Sequence, residues 1–320
     1  MKILFVTSNR IGDAVLSTGL LDYLITAFPS AQITLACGPL AAPLFAEMPN
    51  VERIIPMEKK SMSRHWVSLW SATVDRVWDM VIDLRASALA FFLVAKDRRV
   101  LHKTDEPVHR LRLLSGVLGL KDVAPPRIWT GPTYSAMAED LVPEGDPVLA
   151  VGPTANWGGK QWPAESFAKL IARITGKAGR MPGARVAILG AADERAAAAP
   201  VIESVPEERR IDLVGGADLL LAYACIERCR LYVGNDSGLM HLAAASGTPT
   251  LGLFGPSREE HYAPWGEHTA VVRTPESYEK ILHAPGYDFN SQRSLMTTLS
   301  VDSVVEAVDA LLGSLSDVSA

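Results

Sequence analysis

Residues 231–256, LYVGNDSGLMHLAAASGTPTLGLFGP, constrain this chain more than any other stretch. Residues 231–233 form a short apolar run that reads as a buried strand. A polar, glycine-flanked turn follows, Gly234-Asn235-Asp236-Ser237-Gly238. Residues 239–246 read as an alanine-rich helix. Gly247 stands where a helix end favours a left-handed residue, and Pro249 cannot continue the helix. Residues 250–254 are a second apolar strand, stopped by Gly255-Pro256. Strand, tight turn, helix and strand make half of a parallel α/β sheet.

The turn carries the chemistry. Asp236 or Ser237 can cap the helix, and Gly238 lets a ligand approach the backbone. The first helical N–H groups are free and the dipole is positive there, which suits an anion such as a phosphate. His241 lies four residues after Ser237, hence on the same face. An ordinary N-cap with a satisfied core histidine explains the same pattern, and the residues alone leave both readings open.

At 320 residues the chain is long for one core and suggests two domains. Hydrophobic content of 48% with 21% charged residues describes a folded globular protein. A net charge of −5 argues against a nucleic-acid partner. Three cysteines, Cys37, Cys225 and Cys229, show no zinc-type pairing, and a reduced cytoplasmic setting is expected. The N-terminus has no signal-peptide pattern, and no apolar run is long enough to span a membrane. No Asp-x-Asp pair of carboxylates that could share a divalent ion is present.

Read in order, residues 2–6 are a strand, 7–13 a polar loop, 14–28 a helix with one apolar face and 33–36 a strand, which is a βαβ unit. The first loop lacks the glycine fingerprint of dinucleotide sites and carries Arg10-Ile11-Gly12-Asp13, with Asp13 at the helix start, where a plain cap is the simplest reading. Strands follow at 51–56 and 78–84. Lys59, Lys60 and Arg64 form a short basic segment. Residues 96–112, KDRRVLHKTDEPVHRLR, hold eight Lys, Arg or His against three acids, which is either a solvated helix face or a site for an anionic acceptor. Residues 121–147 turn proline-rich and loop-like, placing a linker and a domain boundary near 145. The second half restarts the pattern with strands at 148–151, 185–189 and 211–214 and helices at 165–175 and 219–228. A Gly-Gly-Lys-Gln-Trp-Pro loop follows the first of these strands, with Thr154 before it, and Glu194 opens the helix after the second. An amphipathic helix at 301–312 ends the chain.

The motif N-D-S-G-x-x-H-x-A-A-A-x-G-x-P-T-x-x-L-F-G-P resembles the signature of glycosyltransferase family 9, the family of the ADP-heptose:lipopolysaccharide heptosyltransferases. The Gly12-Asp13 pair and the Lys160-x-Trp162-Pro163 loop match it too, while the acceptor half matches weakly. Many members carry cysteines between 274 and 299, where this chain has none. The resemblance implies an α/β fold of GT-B architecture, with two Rossmann-like domains facing a central cleft. An acceptor-binding domain would span 1–145 and a nucleotide-sugar domain 146–320, with helix 301–312 a candidate to pack back on the first domain. It implies inverting, metal-independent transfer of a heptose or similar sugar from a nucleotide diphosphate to a lipopolysaccharide-type acceptor. Asp13 would be the base and Lys160 would stabilise the leaving group. Gly12, Thr154, Lys160, Glu194, Asp236, Ser237, Gly238, Leu239 and His241 would hold the donor, and Lys59, Lys60 and Arg64 the acceptor. No cofactor is implied beyond the donor, expected to be ADP-heptose. The partner would be an anionic glycolipid met from the cytoplasmic face of the inner membrane. A different nucleotide sugar and surface glycan, or a non-catalytic sugar-nucleotide binder, are the competing readings; Asp13 argues against the last, because binding alone does not need it.

Overall fold

The computed structural model describes residues 1–318 apart from 60, 103 and 105, with 316–318 as backbone only. The chain divides into two units, Met1–Gly131 and Pro132–Ala320. Each is a parallel sheet with helices, as expected for two Rossmann-like domains.

The first unit contains β1 (Lys2–Val6), α1 (Ile11–Ala27), β2 (Gln32–Cys37), β3 (Val51–Pro56), α2 (Arg64–Ser71), β4 (Trp78–Asp83), β5 (Ala95–Val100) and α3 (Arg110–Val117). Its sheet runs β3-β2-β1-β4-β5, all parallel. The central strands are covered on both faces, which explains why KILFV and QITLAC read as continuous apolar runs. β5 was not expected. Its sequence, AKDRRV, sits at the sheet edge, where charged side chains reach water and discourage pairing with another chain. The described residues of the basic run 96–112 are therefore an edge strand, a loop and the start of α3, not one solvated helix face, and 103 and 105 lie outside them.

α1 is buried nearly all round from Ala14 to Leu21, beyond the single face its spacing suggests. The reason lies in the proline-rich segment after α3. A Cβ at Gly19 would sit 2.3 Å from the Ala124 carbonyl oxygen and 2.5 Å from that of Pro125. The Thr18 hydroxyl accepts from the Arg127 N–H at 3.0 Å. The segment thus lies directly on the helix.

The second unit opens with α4 (Pro132–Leu141), inside the stretch read as a linker. Proline suits a first helical turn. Ala138 and Val142 are buried against Leu221, Ala222 and Cys225, so this stretch belongs to the second core and the division falls at 131/132 instead of near 145. Then come β6 (Val148–Gly152), α5 (Ala164–Thr175), β7 (Arg185–Ile188), α6 (Arg195–Ser204), β8 (Arg210–Asp212), α7 (Leu219–Glu227), β9 (Leu231–Asn235), α8 (Gly238–Ala245), β10 (Thr250–Phe254), α9 (Glu259–Tyr262), β11 (Thr269–Arg273), α10 (Tyr278–Leu282) and α11 (Val301–Val318). The sheet order is β11-β10-β9-β6-β7-β8. β11 was also missed by the sequence reading.

The tail helix, a candidate to pack back on the N-terminal half, has its apolar side taken up within its own unit. Val304, Val308, Leu311 and Leu312 join the core made by α5, β6, β9 and β10. Arg180 pairs with Asp309 at 3.0 Å and Arg173 with Asp302. All three cysteines are buried and unpaired with one another. Burial pushes Cys225 up to about 11 and Cys37 and Cys229 up to about 12, so none is a thiolate at neutral pH. Among the described residues no helix is long and apolar enough to cross a membrane.

The close approach at Gly19 is testable. Gly19→Ala places a methyl group against backbone that cannot yield without moving the 124–127 segment, and should lower unfolding stability by about 1–3 kcal/mol. Chemical denaturation measures it. An unchanged midpoint would show that the segment does not rest on α1.

Candidate active site

In open parallel sheets, ligands gather beyond the carboxyl ends of the strands where strand order reverses. In the first unit that point lies between β1 and β4; in the second it lies between β6 and β9. Gly12 and Asp13 follow β1, Thr154 and Lys160 follow β6 and residues 236–241 follow β9, all at these two points, whereas Glu194 follows β7 and Lys59 and Arg64 follow β3.

In the first unit, α1 begins after β1 with Arg10 as N-cap residue and no side-chain cap bond. The Arg10 N–H is satisfied by the Ser8 hydroxyl at 3.1 Å. Asp13 is therefore not the plain cap its position allowed. Its Oδ2 accepts from the Ser8 hydroxyl at 3.3 Å, and its Oδ1 lies 3.7 Å from Arg110 Nε. Oδ1 is buried with no hydrogen-bond partner. One oxygen of this carboxylate is thus steadied, and the other, beside a cation, has room to accept a further hydrogen bond. Gly12, just before it, is half-buried. Arg110 escaped individual notice because it is one of eight basic residues in the run 96–112.

Beside this loop the chain leaves β4 through a tight polar turn. The buried Asp83 carboxylate accepts from the Arg85 and Ser87 N–H groups, both at 2.9 Å, and from the Ser87 hydroxyl at 2.5 Å. Burial pushes Asp83 up from the usual carboxylate range, against the pull of these donors. Ala86 completes the turn at φ 52°, a left-handed conformation that is strained for a residue with a Cβ. Arg85 reaches Asn9 Oδ1 at 3.0 Å and lies 4.9 Å above the Trp66 ring. Burial lowers its pKa, partly offset by Asp83. Lys59 and Arg64 are exposed and are not among the partners of Asp13; Lys60 lies outside the described residues.

In the second unit, the loop after β6 meets the turn after β9. Lys160 Nζ lies 2.5 Å from Asp236 Oδ2. Asp236 is nearly buried, and Lys160 keeps a quarter of its side chain exposed. The expectation that Asp236 or Ser237 caps α8 does not hold: Ser237 is the N-cap residue in extended geometry, and it makes no side-chain cap bond. Asp236 is instead spent on the lysine, while the first N–H groups of α8 keep no side-chain cap. Gly238 and Leu239 open that helix half-buried. His241 is buried, its ring edge-on to Tyr262 at 6.3 Å.

Asn235 was quoted in the motif but given no role. Its side chain donates to the Pro153 carbonyl at 2.9 Å and accepts from the Trp162 N–H at 3.0 Å, tying the two ends of the Lys160 loop to the end of β9. Behind it, Thr154 Oγ1 donates to Glu194 Oε2 at 2.8 Å, and the Ala191 N–H reaches the same oxygen at 2.9 Å. Both bonds fall on one oxygen of Glu194. Tyr232 turns its ring across two strand glycines; a Cβ at Gly152 would lie 2.1 Å from its hydroxyl oxygen and one at Gly234 2.4 Å. Burial pushes that phenol up, and the nearby Ser237 hydroxyl opposes this without reaching hydrogen-bond geometry.

The cysteine-free stretch proves to be part of this site. Gln292 Oε1 accepts from the Gly158 N–H at 3.0 Å, the Leu295 N–H reaches the Gly159 carbonyl at 3.1 Å, and Ser294 donates to the Gln161 carbonyl at 2.6 Å. Trp157 packs on Phe289 with ring centres 5.1 Å apart. The segment straps the Lys160 loop down from outside. Among the described residues no three His, Cys, Asp or Glu side chains cluster as a metal group would require.

Asn235→Ala should cost about 1–3 kcal/mol of stability, because a buried N–H and a buried carbonyl lose their partner together. Denaturant titration checks this; a change below about 0.5 kcal/mol would mean that the loop is held by other contacts.

Comparison with known proteins agrees with this geometry. Residues 85–285 match the family model "Glycosyltransferase family 9 (heptosyltransferase)". The chain is 27% identical to lipopolysaccharide heptosyltransferase 2 of Salmonella typhimurium over 319 residues, covering 88% of this chain and 90% of that protein. It superposes on the crystal structure of a family 9 glycosyltransferase from Veillonella parvula with a TM-score of 0.79 at 24% identity, covering 98% of this chain and 97% of the other. It also superposes on the E. coli heptosyltransferase WaaC with ADP with a TM-score of 0.69 at 18% identity, covering 97% and 100%. The family match spans well over half of the chain, and with it the full-length likeness establishes that this protein is an enzyme belonging to glycosyltransferase family 9.

Proposed function

We propose that this protein transfers a heptose, or a closely similar sugar, from a nucleotide diphosphate sugar to a lipopolysaccharide-type glycolipid, with inversion at the anomeric carbon. ADP-heptose is the donor we assign first, because a solved relative holds ADP and the curated relatives carry the heptosyltransferase name. The observation that carries the reading is the Lys160–Asp236 pair standing at the uncapped start of α8. An ammonium and a row of free N–H groups at one point make a receptor for a diphosphate.

Asp13 takes the proton of the acceptor hydroxyl as its oxygen attacks the anomeric carbon. The bond from that carbon to the diphosphate oxygen breaks in the same displacement, and the electron pair leaves with the nucleoside diphosphate. Charge grows on the leaving oxygen, where Lys160 and the α8 N–H groups stabilise it. Glu194, steadied by Thr154, holds the ribose. Lys59 and Arg64 are candidates for contact with acidic groups of the acceptor. The enzyme would work at the cytoplasmic face of the inner membrane. Positive charge at the diphosphate comes from the protein, so transfer is expected to survive EDTA. Loss of activity on chelation, with recovery on adding magnesium or manganese, would overturn that part.

Two substitutions test the roles directly. Asp13 makes no cap bond, so Asp13→Asn should melt near the wild-type temperature and bind donor normally, while turnover falls by about a hundred- to ten-thousandfold. Retention of more than about a tenth of wild-type turnover would remove Asp13 from the role of base. Lys160→Ala should weaken donor binding by about ten- to a hundredfold. Wild-type donor affinity in that variant would place the diphosphate elsewhere.

A further inference from the structure

The first unit leaves an apolar face uncovered on the side of its sheet edge. The crossover from β4 to β5 spans only residues 84–94 and holds a single short 3-10 turn, Leu89–Phe92, too little chain for a covering helix. Phe91 and Phe92 are 68% and 71% exposed, and Val94, which follows them, is exposed too. Trp70 of α2 donates its indole N–H to the Phe92 carbonyl at 3.1 Å, so the turn and the helix present one surface. Val67 lies one helical turn before Trp70 and is exposed. Val77 adjoins Val94 across the Trp78 N–H to Val94 carbonyl bond at 2.9 Å and is exposed as well. Clustered exposed rings and branched side chains of this kind mark a docking surface.

Two further observations select the occupant. First, most carbonyls of the turn already have donors. Arg98 donates to the Ala90 and Leu93 carbonyls, both at 2.8 Å. Ala88 accepts from the Phe91 N–H at 3.0 Å, and with Trp70 and Trp78 the carbonyls of residues 88, 90, 92, 93 and 94 all have donors. Each carbonyl paired in this way is one fewer polar group to desolvate on entering an apolar medium, where unpaired ones are costly. Secondly, the rim is basic in a protein of net charge −5. Arg64 starts the exposed stripe of α2, Lys59 is exposed before it, and Lys96 and Arg98 alternate with Val94 along the edge strand. None of the Arg98 bonds goes to a carboxylate. Lys96 is paired with Asp79 yet remains largely exposed, and Asp75, exposed beside Val74, works against the rim. Aromatic groups at the centre with cations around them complement a bilayer surface with acidic headgroups.

We propose that this face, centred on Phe91, Phe92 and Trp70, seats the enzyme on an anionic phospholipid surface. The inference deepens the proposed function, since it brings the first unit to the membrane where a glycolipid acceptor would lie, but the binding itself needs neither donor nor acceptor. α2 links the two regions: its Trp66 underlies Arg85, which holds Asn9 in the loop before α1, whose first turn carries Asp13.

Vesicle flotation with the full chain tests this apart from catalysis. Vesicles of phosphatidylethanolamine and phosphatidylglycerol in a 3:1 ratio should carry the protein upward, and pure phosphatidylcholine vesicles should carry at least about tenfold less. The double variant Phe91→Glu/Phe92→Glu, and separately Val67→Glu, should lose at least about tenfold in bound fraction with unchanged melting, because these side chains are exposed. Wild-type protein that stays in solution with both vesicle types would overturn the proposal, as would variants that float like wild type. Light scattering supplies the last outcome: a wild-type dimer that the Phe91 and Phe92 variant dissolves would assign the face to a second copy of this chain and end the membrane reading. Sugar transfer from a soluble, delipidated acceptor is measured separately. Its loss would count against the proposed function and leave flotation untouched.

Discussion

An ammonium–carboxylate pair across the switch point of the second sheet governs the geometry of this enzyme. Lys160 arrives on the loop after β6 and Asp236 on the turn after β9. Neither position fixes the other by chain proximity. The Asn235 amide makes the join, bonded at once to Pro153 and to Trp162 on either side of the lysine. A nearly buried carboxylate needs a partner, because an unpaired charge in a low-dielectric place is expensive. Asp236 therefore holds Lys160, and the lysine retains two further donors for another anion. Because Asp236 is occupied, it does not cap α8, and the helix start stays open. One interaction thus orients the cation and leaves the dipole free.

The first unit follows another logic. The carboxylate we propose as the base, Asp13, is held lightly, by one long hydrogen bond and an arginine at 3.7 Å. A capping role would have consumed the oxygen that a base requires. The Ser8 hydroxyl takes the capping duty at the Arg10 N–H and so releases Asp13. Around it, the Asp83 turn and the Arg85 stack on Trp66 give the loop rigid walls.

The alternation of apolar runs with glycine-bounded polar loops made both sheets readable, because central parallel strands are buried on both faces and must be apolar throughout. The edge strands β5 and β11 escaped for the complementary reason: AKDRRV is half in water and has no apolar run to betray it. α4 was taken for a linker because proline and glycine surround it, and only its packing on α7 assigns it to the second core. Asp13, Lys160, Glu194 and Asp236 were visible because each follows an apolar strand in a polar loop or turn and matches a position of the family's motifs. The cap assigned to Asp236 was a local inference, and a partner 76 residues away overrode it. Arg110, Gln292 and the bridging role of Asn235 depend on contacts between distant loops, which spacing along the chain does not encode.

We propose that Asp236 acts through Lys160 in holding a diphosphate. A double-mutant cycle read by calorimetric titration with ADP measures this directly, using wild type, Lys160→Ala, Asp236→Asn and the double variant. If Asp236 serves to orient the lysine, its replacement weakens ADP binding in the wild-type background and changes nothing once Lys160 is absent, giving a coupling of about 0.5–3 kcal/mol. Losses that simply add would contradict the account and give the two residues independent roles.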